Sequence, residues 1–197
     1  MKYKILFYSL LTFASFFFLI AHFNCKPEPE KKEMNKEEMI ERGAYLVSFG
    51  GCNDCHTPKV FGPKGPMDDT TKLLSGHPSN EIITAVPTAF LGPGKWMAVT
   101  NGHLTAWAGP WGVSFTKNLT PDEPTGIGTW TEEIFIKAMR TGKQMGFGRD
   151  LLPPMPWYTL AGLTDEDLKA IFAYLKSLKP IRNQVPEPIP PDSIFKM

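Results

Sequence analysis

Residues Gly51-Cys52-Asn53-Asp54-Cys55-His56 bring two thiols and an imidazole together within a short stretch of backbone. Cys-x-x-Cys-His is the spacing of covalent haem c attachment. The two sulfurs add to the haem vinyl groups, and the adjacent histidine lies under the iron as its proximal nitrogen ligand. The motif therefore predicts one covalent haem on Cys52 and Cys55, with His56 on the metal. Two other uses of paired cysteines compete with this. A thioredoxin-like dithiol opens a helix after a strand in a βαβ pattern, whereas this run follows a helical pattern and leads into Thr57-Pro58. A zinc site needs a second ligand pair. No further cysteine lies downstream, and His77 and His103 do not form a close histidine pair.

The 197 residues, 42% hydrophobic and 21% charged, suffice for one ordinary core with appendages. Nineteen prolines and seventeen glycines predict much irregular backbone, for which a large ordered haem compensates. The formal charge is +1, or −1 without residues 1–25, which contribute Lys2 and Lys4 and no carboxylate. Such a balance carries no nucleic-acid signature. With Cys52 and Cys55 on haem, Cys25 is the one cysteine left over, so structural disulfides are not expected.

Haem c attachment is completed outside the energy-transducing membrane, so the chain needs an export signal. Lys2 and Lys4 precede an uncharged stretch from Ile5 to Phe23, long enough for a signal sequence or an anchor helix. Cys25 follows, and then the solvated run Lys26-Pro27-Glu28-Pro29-Glu30, which resembles the mature N-terminus of a bacterial lipoprotein. His22, Phe23 and Asn24 depart from the usual lipobox. Lipidation of Cys25, an uncleaved anchor, and cleavage to a soluble protein are the three readings, in that order. Residues 1–25 are thus an export segment and 26–34 a solvated linker.

From residue 35 the pattern turns helical. Asn35 caps a first helix with Glu38 as capping-box partner; Ile40, Gly43, Ala44 and Val47 form its apolar face, and Gly50 and Gly51 end it. Thr131 caps a second helix that ends near Gly142, with Ile134, Phe135, Ala138 and Met139 buried. Thr164 caps a third, with Asp165, Glu166 and Asp167 in its first turn and Leu168, Ile171, Phe172, Leu175 and Leu178 facing the core, before Pro180 stops it. Residues 57–128 form a long insert full of turn signals, in which only Ile82–Val86 and Trp96–Thr100 read as strands. Trp96, Trp107, Trp111, Phe115 and Trp130 supply aromatic bulk for core packing or haem cover. Residues 181–197, with four prolines, read as an extended surface tail.

Three helices with the haem motif just after the first resemble a class I cytochrome c. That resemblance implies a mainly α domain over residues 35–180, its helices arranged around the covalent haem, with Gly43 and Tyr174 at the crossing of the first and last helices. It also implies a distal methionine ligand in an irregular loop ahead of the last helix. Met155, in Leu151-Leu152-Pro153-Pro154-Met155-Pro156-Trp157, matches that place; Met97, Met139 and Met145 are competitors. Arg42-Gly43-Ala44-Tyr45-Leu46-Val47, Gly112-Val113-Ser114-Phe115, Asn118-Leu119-Thr120-Pro121-Asp122, Thr125-Gly126-Ile127-Gly128 and the Met155 loop are similar to the cytochrome subunits of membrane-bound alcohol and gluconate dehydrogenases. Those subunits carry three haem motifs and this sequence one, so it resembles a single module of them.

The expected function is single-electron transfer between redox partners, a dehydrogenase or an oxidase or reductase, at the outer side of a bacterial membrane. No substrate bonds to iron, so the protein is not itself an enzyme. Arg140, Arg149 and Asn118 are candidate donors to the haem propionates. Two other classes stay open: a haem enzyme or gas sensor with an open distal position served by His77 or His103, and a docking lipoprotein built on the 57–128 insert. A bis-histidine carrier is a variation on the first.

Overall fold

Asn35 starts the first helix by satisfying two donors reciprocally. Its Oδ1 accepts from the Glu38 N–H at 2.9 Å, and Glu38 Oε2 accepts from the Asn35 N–H at 2.8 Å. The structure is a computed structural model that describes residues 33–194. The export segment, Cys25 and nearly all of the 26–34 linker lie outside the described residues. Helix α1 runs Lys36–Phe49. Gly51 then takes the left-handed conformation at φ 64°, open to glycine without a Cβ penalty, and turns the chain straight into the short helix α2, Cys52–His56.

Helix α3, Glu132–Thr141, is capped by the Thr131 hydroxyl and closed by left-handed Gly142. A short helix α4, Trp157–Leu160, follows the Met155 loop. Helix α5, Asp165–Ser177, is capped by Thr164, whose hydroxyl accepts from the Asp167 N–H at 3.1 Å. Helices α1 and α5 cross at Gly43, where a Cβ would stand 1.9 Å from the Ala170 carbonyl oxygen and 2.7 Å from Tyr174 Cβ. Arg42 closes the same crossing with an ion pair to Asp167 at 2.9 Å. Val47, Phe135, Ala138, Met139, Leu168, Ile171, Phe172 and Leu175, with Leu74 and Ile127 from the insert, form the main core.

The insert carries more regular structure than its sequence predicts. Strands β1, Lys59–Gly62, and β2, Gly65–Asp68, pair as an antiparallel hairpin. Strands β3, Val99–Thr100, β4, Ala106–Gly109, and β5, Gly112–Phe115, form an antiparallel meander in that order. Of the two expected strands, 96–100 survives as Val99–Thr100, while 82–86 forms no strand. The reason lies in the turn signals. Gly65-Pro66 reads as a break, yet Pro66 sits opposite Phe61 in a two-stranded hairpin, where both strands are edges and a missing donor is tolerated. Gly109 ends β4 opposite Gly112, so that Pro110-Trp111 is the hairpin turn, and Ala106-Trp107-Ala108 is held extended by pairing and burial rather than by propensity.

These strands build a second small core of Ala106, Ala108, Val113 and Phe115 with Val185 and Ile194. The tail is therefore not merely an extended surface segment. Ile189 bridges Val113 through two backbone hydrogen bonds of 2.8 and 2.9 Å, and Pro191–Ile194 closes as a short helix, α6. Buried apolar residues among the prolines hold it down.

Candidate haem site

His56 ends α2 and is buried at 9% exposure. Its Nδ1 lies 2.7 Å from the Lys117 carbonyl oxygen. A carbonyl only accepts, so Nδ1 carries the proton and the Nε2 lone pair is left for a metal. Burial pushes the imidazole below its ordinary pKa, and the Lys117 hydrogen bond opposes this without cancelling it. The ring is thus held neutral, in one tautomer, as a ligand needs to be.

The thiols of Cys52 and Cys55 are free and half-buried. Burial raises both above the ordinary thiol pKa, and Asp54 pushes in the same direction. A dithiol working by exchange needs the opposite shift. Around the motif the backbone is fastened by neighbours. The Thr57 hydroxyl donates to Asn53 Oδ1 at 2.9 Å and accepts from the Leu74 N–H at 2.9 Å. Buried Lys59 donates through Nζ to the Asn53 and Thr57 carbonyls and to Asp68 Oδ1, at 3.0, 2.9 and 2.6 Å. Hairpin β1–β2 is in this way locked to α2.

Met155 packs against the main core cluster, as does Cys52. Its loop is tied to α3 by the Leu151 N–H donating to the Gly142 carbonyl at 2.8 Å, and is closed by the Met155 N–H donating to Leu152 O at 3.2 Å. The competing methionines are placed differently. Met97 is 74% exposed, Met139 is a buried core residue of α3, and Met145 stands at φ 54° in the turn Gln144–Gly146. A neutral imidazole with a free Nε2, two un-ionised thiols on one helical turn and a soft thioether over the same apolar cluster suit a haem c. The residues present fit that group.

His77 and His103, the alternatives for an iron role, have their lone pairs engaged. His77 Nε2 lies 3.0 Å from the Glu81 carbonyl and Nδ1 2.9 Å from Thr105 Oγ1, so Nε2 donates and Nδ1 accepts the Thr105 hydroxyl. Burial lowers its pKa as well. His103 Nδ1 accepts from the Lys59 N–H at 3.0 Å, and its Nε2 faces Glu81 Oε2 at 3.6 Å. Of the five aromatics, Trp130 packs on the main cluster, Phe115 belongs to the second with its ring 4.8 Å from His77, and Trp96 is 67% exposed. Trp107 and Trp111 turn their indole N–H groups to the Leu104 carbonyl and to Ser114 Oγ.

Among the expected propionate donors, Asn118 uses its amide on Thr125 Oγ1 and the Ile181 carbonyl, and Arg140 its guanidinium on the Ala161 carbonyl and Asp165. Arg149 keeps a buried Nε without a hydrogen-bond partner, 3.7 Å from Glu187 Oε2. Sequence reasoning missed the Lys117 carbonyl, Lys59 and Ser114. A backbone oxygen has no residue signature, and a lone lysine or serine in a turn-rich stretch reads as solvated.

The cytochrome c family model matches residues 40–179. The chain is 37% identical over 154 residues to the cytochrome c subunit of the quinone alcohol dehydrogenase of Gluconobacter oxydans, covering 77% of this chain and 24% of that one. It is 32% identical over 138 residues to the gluconate 2-dehydrogenase cytochrome c subunit of Pantoea cypripedii, covering 70% and 23%. With the fructose dehydrogenase cytochrome subunit of Gluconobacter japonicus it shares 38% identity over 155 residues, 76% of this chain and 24% of that protein. The chain thus spans less than a quarter of the length of these relatives. The motif, the neutral His56 and the family match agree: the chain belongs to the cytochrome c family and carries one covalent haem c.

Proposed function

We propose that the protein is a monohaem electron carrier whose iron is held by His56 and Met155 and which passes single electrons between redox partners at the outer side of a bacterial membrane. The observation that carries this reading is the convergence of Cys52 and the Met155 loop on one apolar cluster, with His56 fixed as a neutral ligand by Lys117. The haem supplies a one-electron couple between ferric and ferrous iron. The chain's residues do the rest. His56 and Met155 would both hold the iron and so would deny it to a substrate. The thioether sulfur, a soft donor, favours the reduced state relative to a second imidazole. Apolar surroundings disfavour the extra charge of the oxidised state.

An open distal position served by His77 or His103 draws no support from the geometry, because neither imidazole has a lone pair to spare. The relatives are cytochrome subunits of dehydrogenases, which makes a dehydrogenase the favoured electron donor. Export and membrane attachment rest on the sequence at Cys25; mass spectrometry of the mature protein should give one haem plus a diacylglyceryl group on that residue, and an unmodified Cys25 overturns the lipid anchor.

The axial assignment is tested optically. The oxidised protein is expected to show the weak far-red sulfur-to-iron band, and Met155→Ala to abolish it while lowering the midpoint potential. Persistence of the band in Met155→Ala, or its loss in His103→Ala, overturns the assignment.

A further inference from the structure

The Met155 loop is held from the insert by one hydroxyl. Ser114, on β5, is 8% exposed, and its Oγ lies 2.6 Å from the Pro153 carbonyl oxygen. A second acceptor, the Trp107 carbonyl, lies 3.4 Å away. A hydroxyl has one proton to give, and the shorter contact takes it. The Trp111 indole N–H, 3.3 Å from Ser114 Oγ, donates to a lone pair of that oxygen and so leaves the proton aimed at Pro153.

The loop has few means of fastening itself. Pro153, Pro154 and Pro156 have no backbone N–H, so the segment's hydrogen bonds come from Leu151 and Met155 and from outside. Leu151 ties its start to the end of α3. Ser114 ties its middle to β5, two residues before the thioether. The donor belongs to the hairpin that also builds the second core, so the position of Pro153 follows the position of that hairpin.

We infer that Ser114 is a positioning residue for the distal ligand, bracing the Met155 loop against the β4–β5 hairpin so that the sulfur stays on the iron. The inference rests on Met155 as the distal ligand. It gives the insert a specific role, that of holding the ligand loop in place. Loss of the hydroxyl loosens the loop without touching either axial ligand, and an exogenous base then displaces the sulfur more readily.

The test uses the full-length, haem-loaded protein. Imidazole is titrated into the oxidised form of Ser114→Ala, Ser114→Thr and Ser114→Val, and loss of the far-red band is followed. Threonine and valine add the same volume, so their difference isolates the hydroxyl. The imidazole Kd is expected to fall about fivefold to tenfold in the alanine and valine variants and to stay near wild type in the threonine variant. Equal Kd values for Ser114→Thr and Ser114→Val overturn the proposal, and that comparison decides even if Ser114→Ala fails to fold. A Met155→Ala protein that keeps its band overturns the ligand assignment instead, so the two failures are distinct.

Discussion

Cys52→Ala with Cys55→Ala is expected to abolish haem-linked peroxidase staining on a denaturing gel and to remove the mass of one haem from the chain, whereas Met155→Ala keeps both. The thioether bonds are covalent and survive unfolding; the proposed coordination by His56 and Met155 would not. In the native protein the effect extends to stability. Covalent attachment keeps the haem at a high effective concentration beside its ligands, and a group that binds only the folded chain stabilises it by mass action. Without the thioethers that term depends on free haem, so the denaturant midpoint of the double variant should fall and become dependent on added haem. Retention of the stain by the double variant would place the attachment elsewhere.

The residues that fix the helical layer were legible because each effect is local. Asn35 with Glu38, Thr131 with Gly142 and Thr164 ahead of three acidic residues act within a single turn of backbone, and all three appear as caps in the structure. The proposal of Met155 has a different basis, since the resemblance supplied the place and the prolines marked the loop. The insert was not legible. Its strands are four residues or shorter, at or below the shortest run in which alternation gives a signal, and the insert is fastened to the rest by polar contacts distant in sequence. Ser114 to Pro153 and Asn183 to the Ser75 and His77 carbonyls are examples. The Lys117 carbonyl that orients His56 belongs to the same class. What was missed is the set of long-range polar contacts that join the insert to the helical layer.

Gly43→Val is expected to be strongly destabilising, because the clash is with backbone. A Cβ at position 43 meets the Ala170 carbonyl oxygen at 1.9 Å, its carbon at 2.6 Å and Tyr174 Cβ at 2.7 Å. No rotamer change relieves contact with a main-chain oxygen, so α1 must move away from α5. That movement opens the main core on both sides of the crossing, since Val47 is one turn along α1 and Ile171 next to Ala170 on α5, both in the cluster on which Cys52 and Met155 pack. Alanine carries a helix propensity about 1 kcal/mol better than glycine, which favours Gly43→Ala locally. Overpacking of a tight core costs about 3 kcal/mol at the upper end of its usual range. The second effect wins, and valine adds to it. Urea unfolding of the haem-loaded protein should therefore show a lower midpoint for Gly43→Ala and a still lower one for Gly43→Val, with the exposed neighbour Glu41→Ala as a control near wild type. Because the crossing also sets where α1 delivers the haem motif, the far-red band of Gly43→Ala should melt at a lower temperature than that of the control. A Gly43→Ala protein as stable as wild type would mean that α1 and α5 do not cross at this glycine.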